Sequence, residues 1–108
     1  MAESIRPTVV MCGNDVQAAG VMRRAAHLGL NVPSDLSVTG FDNLEHSVLV
    51  DPQITTVDVP HVDMGTQAAD VLVEFLQGNE VVRQVSLPVP VVERGSCLLY
   101  TSPSPRDS

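Results

Sequence analysis

The sequence predicts an α/β fold, a mostly parallel sheet with flanking helices. Short β-branched apolar runs recur at Thr8–Cys12, Leu36–Phe41 and Ile54–Val57. Apolar residues at helical spacing fill the segments after the first run and after the third. Strands alternating with helices of that length imply crossover connections, and crossovers join parallel strands.

Taken in order, Thr8-Val9-Val10-Met11-Cys12 is continuously apolar and stops at Gly13, the pattern of a strand buried on both faces. Asn14 and Asp15 follow, and both are favoured helix N-caps; Asp15 is read as a cap. Ala18, Val21, Met22, Ala25 and Leu28 share one helical stripe, with Gln17, Arg24 and His27 opposite. Gly29 suits the left-handed residue after a helix, and Pro33-Ser34-Asp35 reads as a turn. Leu36–Phe41 is the second strand, ended by Asp42-Asn43. Residues 44–50 read equally as a short helix or an ordered loop. After the Asp51-Pro52 turn, Ile54–Val57 forms a third strand. Then Val62, Gly65, Ala69, Leu72 and Leu76 line one face of a helix, with Asp63, Gln67, Asp70, Glu74 and Gln77 on the other. Gly78-Asn79 ends it. Residues 85–92 are extended, but Pro88 and Pro90 bar a central strand position along part of that length.

Composition removes several function classes. The chain has 108 residues and a net charge of −7, with six arginines and no lysine. Without a basic stripe it repels phosphate backbones, so these residues are not expected to bind nucleic acid themselves. Cys12 and Cys97 lack metal-ligand spacing, and His27, His46 and His61 are scattered; no metal and no cofactor are expected. No apolar run is long enough to span a membrane. There is no nucleophile elbow, Walker loop or dinucleotide fingerprint, and an enzyme is not expected. Cys12 sits where a helix N-terminus could stabilise a thiolate, yet an inert, buried cysteine is the plainer reading.

Polar groups converge at two strand ends. In open α/β sheets, ligands bind just beyond the carboxyl ends of the strands. Asn14 follows the first strand and Asp42 the second. A carboxylate accepts several hydrogen bonds and an amide both donates and accepts, a combination suited to a polyol such as a sugar. The same residues also read as a helix cap at Asn14 and a cap for the segment beginning at Asn43. The pattern alone leaves both readings open.

The segments PTVVMCGNDVQAAGVMRRAAHLGLNVPSDLSVTGFDN, DPQITTVDVPHVDMGTQAADVLVEFLQG and LPVPVVERGS, read in order, resemble the last third of LacI/GalR-type transcription regulators from Arg6 to Ser96. The resemblance implies part of a periplasmic-binding-protein-like (type I) effector domain with two lobes and a ligand cleft between them. It implies effector contacts at Asn14 and Asp42. His61 falls where some members place an aromatic ligand contact, so it is a ligand-proximal candidate. The first helix and residues 43–50 correspond to a dimerisation surface, with Ala19, Met22 and Val50 as the interface candidates. The expected partners are a small-molecule effector of the sugar or nucleobase class, a second copy in a homodimer, and operator DNA reached only through an N-terminal domain outside these residues. Such a regulator is cytoplasmic. The alternative is a fragment of a periplasmic sugar-binding transport protein of the same fold.

Two boundaries complete the expectation. Residues 1–96 form the C-terminal portion of the effector-binding and dimerisation domain, and Met1 is not expected to be a native start. Residues 97–108 include a Ser/Pro run with no period, expected to be disordered, and CLLYTSPSPRD resembles an in-frame translation of a sequencing adapter.

Overall fold

Strand β1, Val9–Met11, lies parallel to β2, Ser37–Thr39, in the register Val9↔Ser37, Val10↔Val38 and Met11↔Thr39. β3, Thr56–Val57, extends that order through the parallel bridges Thr39↔Thr55 and Asp42↔Asp58. β4, Val91–Val92, pairs antiparallel with β3, Thr56 opposite Val92 and Val57 opposite Val91. Two two-stranded sheets, β1-β2 and β3-β4, are thus linked by isolated parallel bridges in the order β1-β2-β3-β4, mostly parallel as expected. The computed structural model describes residues 7–81 and 84–98. It divides into two units: Met1–Asp58 with Val91–Ser108, and Val59–Pro90.

Helix α1, Asp15–His27, begins where the sequence places it. Asn14, extended at φ −160°, is the N-cap, and its side-chain oxygen accepts the Gln17 N–H at 2.8 Å. Gln17 returns the bond, its Oε1 accepting the Gly13 N–H at 2.9 Å. One orphan donor of the first turn and the N–H just before the N-cap are met by one Asn/Gln pair, a relative of the capping box. At the other end Gly29 takes φ 75° and turns the chain away. The inner stripe of α1 packs on the sheet: Ala18, Met22, Val38 and Ile54 form the core, with Val21 and Leu36 partly buried around it.

The 44–50 segment resolves as a 3-10 turn at Glu45–Ser47. The Pro33–Asp35 turn is closed by Asn31, whose carbonyl accepts from Asp35 and Leu36 while its N–H donates to the Asp35 carboxylate at 2.8 Å. In residues 84–92 only Val91–Val92 is strand, directly after Pro90.

Three expectations need correction. β1 is not buried on both faces: Met11 is 81% exposed and Val9 40%. Among the described residues β2 is its only strand partner, so β1 is an edge, and no described helix other than α1 is in the core cluster behind it. Met22, expected at a subunit interface, lies in the core at 7% exposure, because its place on the α1 stripe aims it at Val38 and Ile54. The ordered chain also passes residue 96. The Leu98 N–H donates to Ser37 Oγ at 3.0 Å, a bond to β2 that composition cannot announce. The remainder of the expected tail, residues 99–108, lies outside the described residues.

In the second unit, α2 spans His61–Leu76 and ends with Gly78 at φ 83°. Its amphipathic pattern is as expected, yet none of its residues is buried, and Val62, Leu72 and Leu76 are each more than half exposed. Covering one such leucine is worth about 1.5–3 kcal/mol, so the uncovered stripe is a strong dye-binding surface. Residues 1–108 in isolation are expected to enhance the fluorescence of a hydrophobic dye, and Leu72→Gln with Leu76→Gln to remove most of that signal. An unchanged signal in the double variant would place the apolar surface elsewhere.

Candidate functional site

The carboxyl ends of the first three strands are tied together by backbone bonds. Cys12 N donates to Thr39 O, Gly40 N to Thr55 O and Asp42 N to Val57 O, each at 2.9 Å. Immediately beyond, Asp15 N donates to Phe41 O at 3.1 Å. The residue after Asn14 is therefore bonded to the residue before Asp42, and the two predicted site residues stand at adjacent strand ends. Both are half-buried.

Asp42 and Asn43 hold an unusual backbone, with φ 104° and 59°. Positive φ is uncommon for residues with a Cβ and tolerated best by Asn and Asp. Three successive N–H groups fix it. Asp42 N meets Val57 O, Asn43 N meets Thr56 Oγ1 at 3.3 Å, and Leu44 N meets Asp15 Oδ2 at 2.5 Å.

Asp15 is the centre of this arrangement. It is fully buried; its second oxygen accepts from the Thr56 hydroxyl at 2.6 Å. Its sequence position suggests a cap, but Asn14 holds that place. Asp15 is the first helical residue, where the helix dipole favours a negative charge, and its side chain turns inward. One carboxylate therefore joins α1, the 42–44 loop and β3. Gly40 makes room for it. A Cβ at residue 40 would stand 2.2 Å from Asp15 Oδ1 and 3.2 Å from its Cα.

A second set of bonds closes the sheet from the far end of the chain. Ser96, fully buried, donates its hydroxyl to Val38 O at 2.5 Å and accepts the Thr55 N–H at 2.9 Å. Arg94 lies two residues earlier and reaches Asn43, Ser47 and Ile54. Sequence reasoning saw Asp15 only as a cap, and Thr56, Arg94 and Ser96 only as letters in a motif. Their shared signal was polar residues inside or beside apolar runs.

The other candidates are dispersed. Asn14 Oδ1 is committed to the α1 cap, and its Nδ2 group is a donor. His61 is the first residue of α2, exposed, in the second unit. Ala19 and Val50 are partly buried against the core. The Cys12 thiol is pushed above its ordinary pKa by burial, which disfavours the reactive thiolate. A pocket of about 260 Å³ opens by the strand ends, with Cys12, Phe41, Thr56 and Val57 in its wall, but neither Asn14 nor Asp42 lines it. Among the described residues no cluster of three metal-ligating side chains occurs, and no helix is long and apolar enough to cross a membrane.

The family model for a periplasmic binding protein-like domain matches residues 1–97. The chain belongs to that family. Within it, the relatives are LacI-type regulators. This periplasmic binding protein-like chain is 40% identical over 93 residues to the NTD biosynthesis operon regulator NtdR of Bacillus subtilis (strain 168), covering 84% of the chain and 28% of NtdR. It is 41% identical over 75 residues to the HTH-type transcriptional repressor CytR of Escherichia coli (strain K12), covering 69% of the chain and 22% of CytR. It also superposes on the crystal structure of the lac repressor dimer bound to operator and the anti-inducer ONPF. There the TM-score is 0.74 at 33% identity, over 84% of this chain and 32% of that one. The chain thus spans about a quarter of the length of the curated relatives it matches.

Proposed function

We propose that this chain is the effector-sensing part of a LacI-type regulator, contributing Asn14 and Asp42 to a site for a small polyol or a nucleobase-bearing ligand. The observation that carries the reading is the 42–44 loop. Asp42 stands in a disfavoured backbone conformation at a strand end beside Asn14, and the surrounding hydrogen bonds fix it there. Backbone strain held by its neighbours is characteristic of ligand sites. The division of labour is chemical: the carboxylate accepts from ligand hydroxyls or ring N–H groups, and the Asn14 Nδ2 donates. The family resemblance adds His61 as a ligand-proximal candidate. In the full-length protein, ligand would shift a two-state equilibrium and so change operator binding by a separate DNA-binding domain. A homodimer would form around Ala19 and Val50.

Asp42→Asn tests this with the least disturbance, since Asn tolerates positive φ and keeps the shape while losing the charge. In the full-length protein it is expected to weaken binding of the best ligand from a panel of sugars and nucleosides by about 1.5–3 kcal/mol, ten- to a hundredfold. Isothermal titration calorimetry measures it. Equal affinities for the two proteins would take Asp42 out of the site.

A further inference from the structure

We infer that Arg94 is a positioning residue for Asp42, acting through Asn43; this rests on the reading of Asp42 as a ligand contact. Arg94 enters the fold after β4, far from Asp42 in sequence, and its half-buried guanidinium spans three acceptors. Nη1 donates to Ser47 Oγ at 2.9 Å and to Ile54 O at 3.1 Å, and Nη2 donates to Asn43 Oδ1 at 2.9 Å. Its backbone is also pinned, the Arg94 N–H donating to Thr55 Oγ1 at 2.9 Å and its carbonyl accepting from that hydroxyl at 3.1 Å.

The consequence falls on the residue next to Asp42. Asn43 sits at φ 59° and has every amide group engaged. Its Oδ1 accepts from Arg94, its Nδ2 donates to Asp58 Oδ1 at 3.3 Å, and its N–H donates to Thr56 Oγ1. Two consecutive positive-φ residues have only a few ways to relax, chiefly by rotating the peptide between them. The Arg94–Asn43 bond opposes that rotation from the side-chain end, Thr56 Oγ1 holds the N–H of that peptide, and Val57 and Asp15 hold the N–H groups on either side. A guanidinium suits the task because its planar fork addresses three acceptors at once; a lysine ammonium at the same place is a point donor on a flexible stem.

The test uses the full-length protein that carries this chain, with Arg94→Lys and, independently, Asn43→Ala. Amide hydrogen exchange is followed at residues 42–44 and, for reference, at Ala18 and Met22 of α1. Each variant is expected to speed exchange in the loop by about tenfold and in α1 by less than about twofold. Unchanged loop exchange, or equal acceleration in α1, overturns the inference. Binding to the panel of sugars and nucleosides provides the second readout. Arg94→Lys is expected to weaken the best ligand about tenfold in the wild-type background but less than about twofold beside Asp42→Asn, because the two act on one contact. The same loss in both backgrounds means that Arg94 acts on the fold generally, and the inference fails while Asp42 keeps its role. If Asp42→Asn changes nothing, or no panel ligand binds, the reading of the site falls and takes the ligand role of Arg94 with it.

Discussion

Replacing Gly40 by alanine is expected to destabilise the protein by about 3 kcal/mol or more, since overpacking and a lost charged hydrogen bond each cost on that scale. The added methyl would lie 2.2 Å from a buried carboxylate oxygen, well inside contact distance, with the Asp15 backbone 3.2 Å away on the same side. Neither neighbour can retreat freely. The carboxylate is fixed by the Thr56 hydroxyl and the Leu44 N–H, and Asp15 N is bonded to Phe41 O. Relief of the clash must therefore break the bonds that join α1 to the 42–44 loop and β3. The effect should depend on Asp15. In an Asp15→Ala background the obstructing oxygens are gone, and Gly40→Ala should cost only about 1 kcal/mol more, a coupling of the kind seen between contacting residues. Urea denaturation of the four proteins of this cycle measures it, with the midpoint moving and the slope constant. Simple additivity would mean that the methyl is accommodated in some other way.

Ser96→Ala is the second large effect, expected at about 2–4 kcal/mol, because one hydroxyl serves two buried backbone groups that water cannot reach. Without it the Thr55 N–H loses its acceptor, and Val38 O loses its hydroxyl donor. The backbone of Ser96 remains tied to β2 and to Gln53, through Val38 N to Ser96 O at 2.8 Å and Ser96 N to Gln53 O at 3.0 Å. The segment should therefore stay in place with unmatched polar groups inside it. Thermal melts of Ser96→Ala and Ser96→Thr separate the causes. Threonine keeps the hydroxyl and should recover part of the loss; if it is as unstable as alanine, volume and not hydrogen bonding decides the site.

The strands and helices were legible because β-branched runs and helical apolar spacing are local signals. Asn14 could be read as a cap, and as a strand-end residue, for the same reason. Asp15 could not be assigned. An acidic residue in the first helical turn looks the same whether it faces water or the core, and only the approach of Thr56 and Leu44 distinguishes them. Gly40 was hidden similarly, since a glycine within a strand gives no hint of which atom fills the missing side chain's place. Arg94 and Ser96 act on partners 47 and 58 residues away, at Ser47 and Val38, distances over which composition and periodicity carry no information. The exposed face of β1 is the reverse case. Its apolar run states what the strand is suited to bury, and the described residues leave Met11 largely in solvent.

The backbone at Asp42 sets two demands against each other. At φ 104° glycine is the residue with no steric objection, and a glycine there would relieve about 1 kcal/mol or more of conformational strain. It would also erase the carboxylate. Selection for a more heat-resistant protein, made without regard to ligand, should drift toward glycine at this position, whereas selection for response should hold the acid. On the proposed reading of Asp42 as a ligand contact, a library randomised at residue 42 would sort its members along a single axis between heat resistance and response.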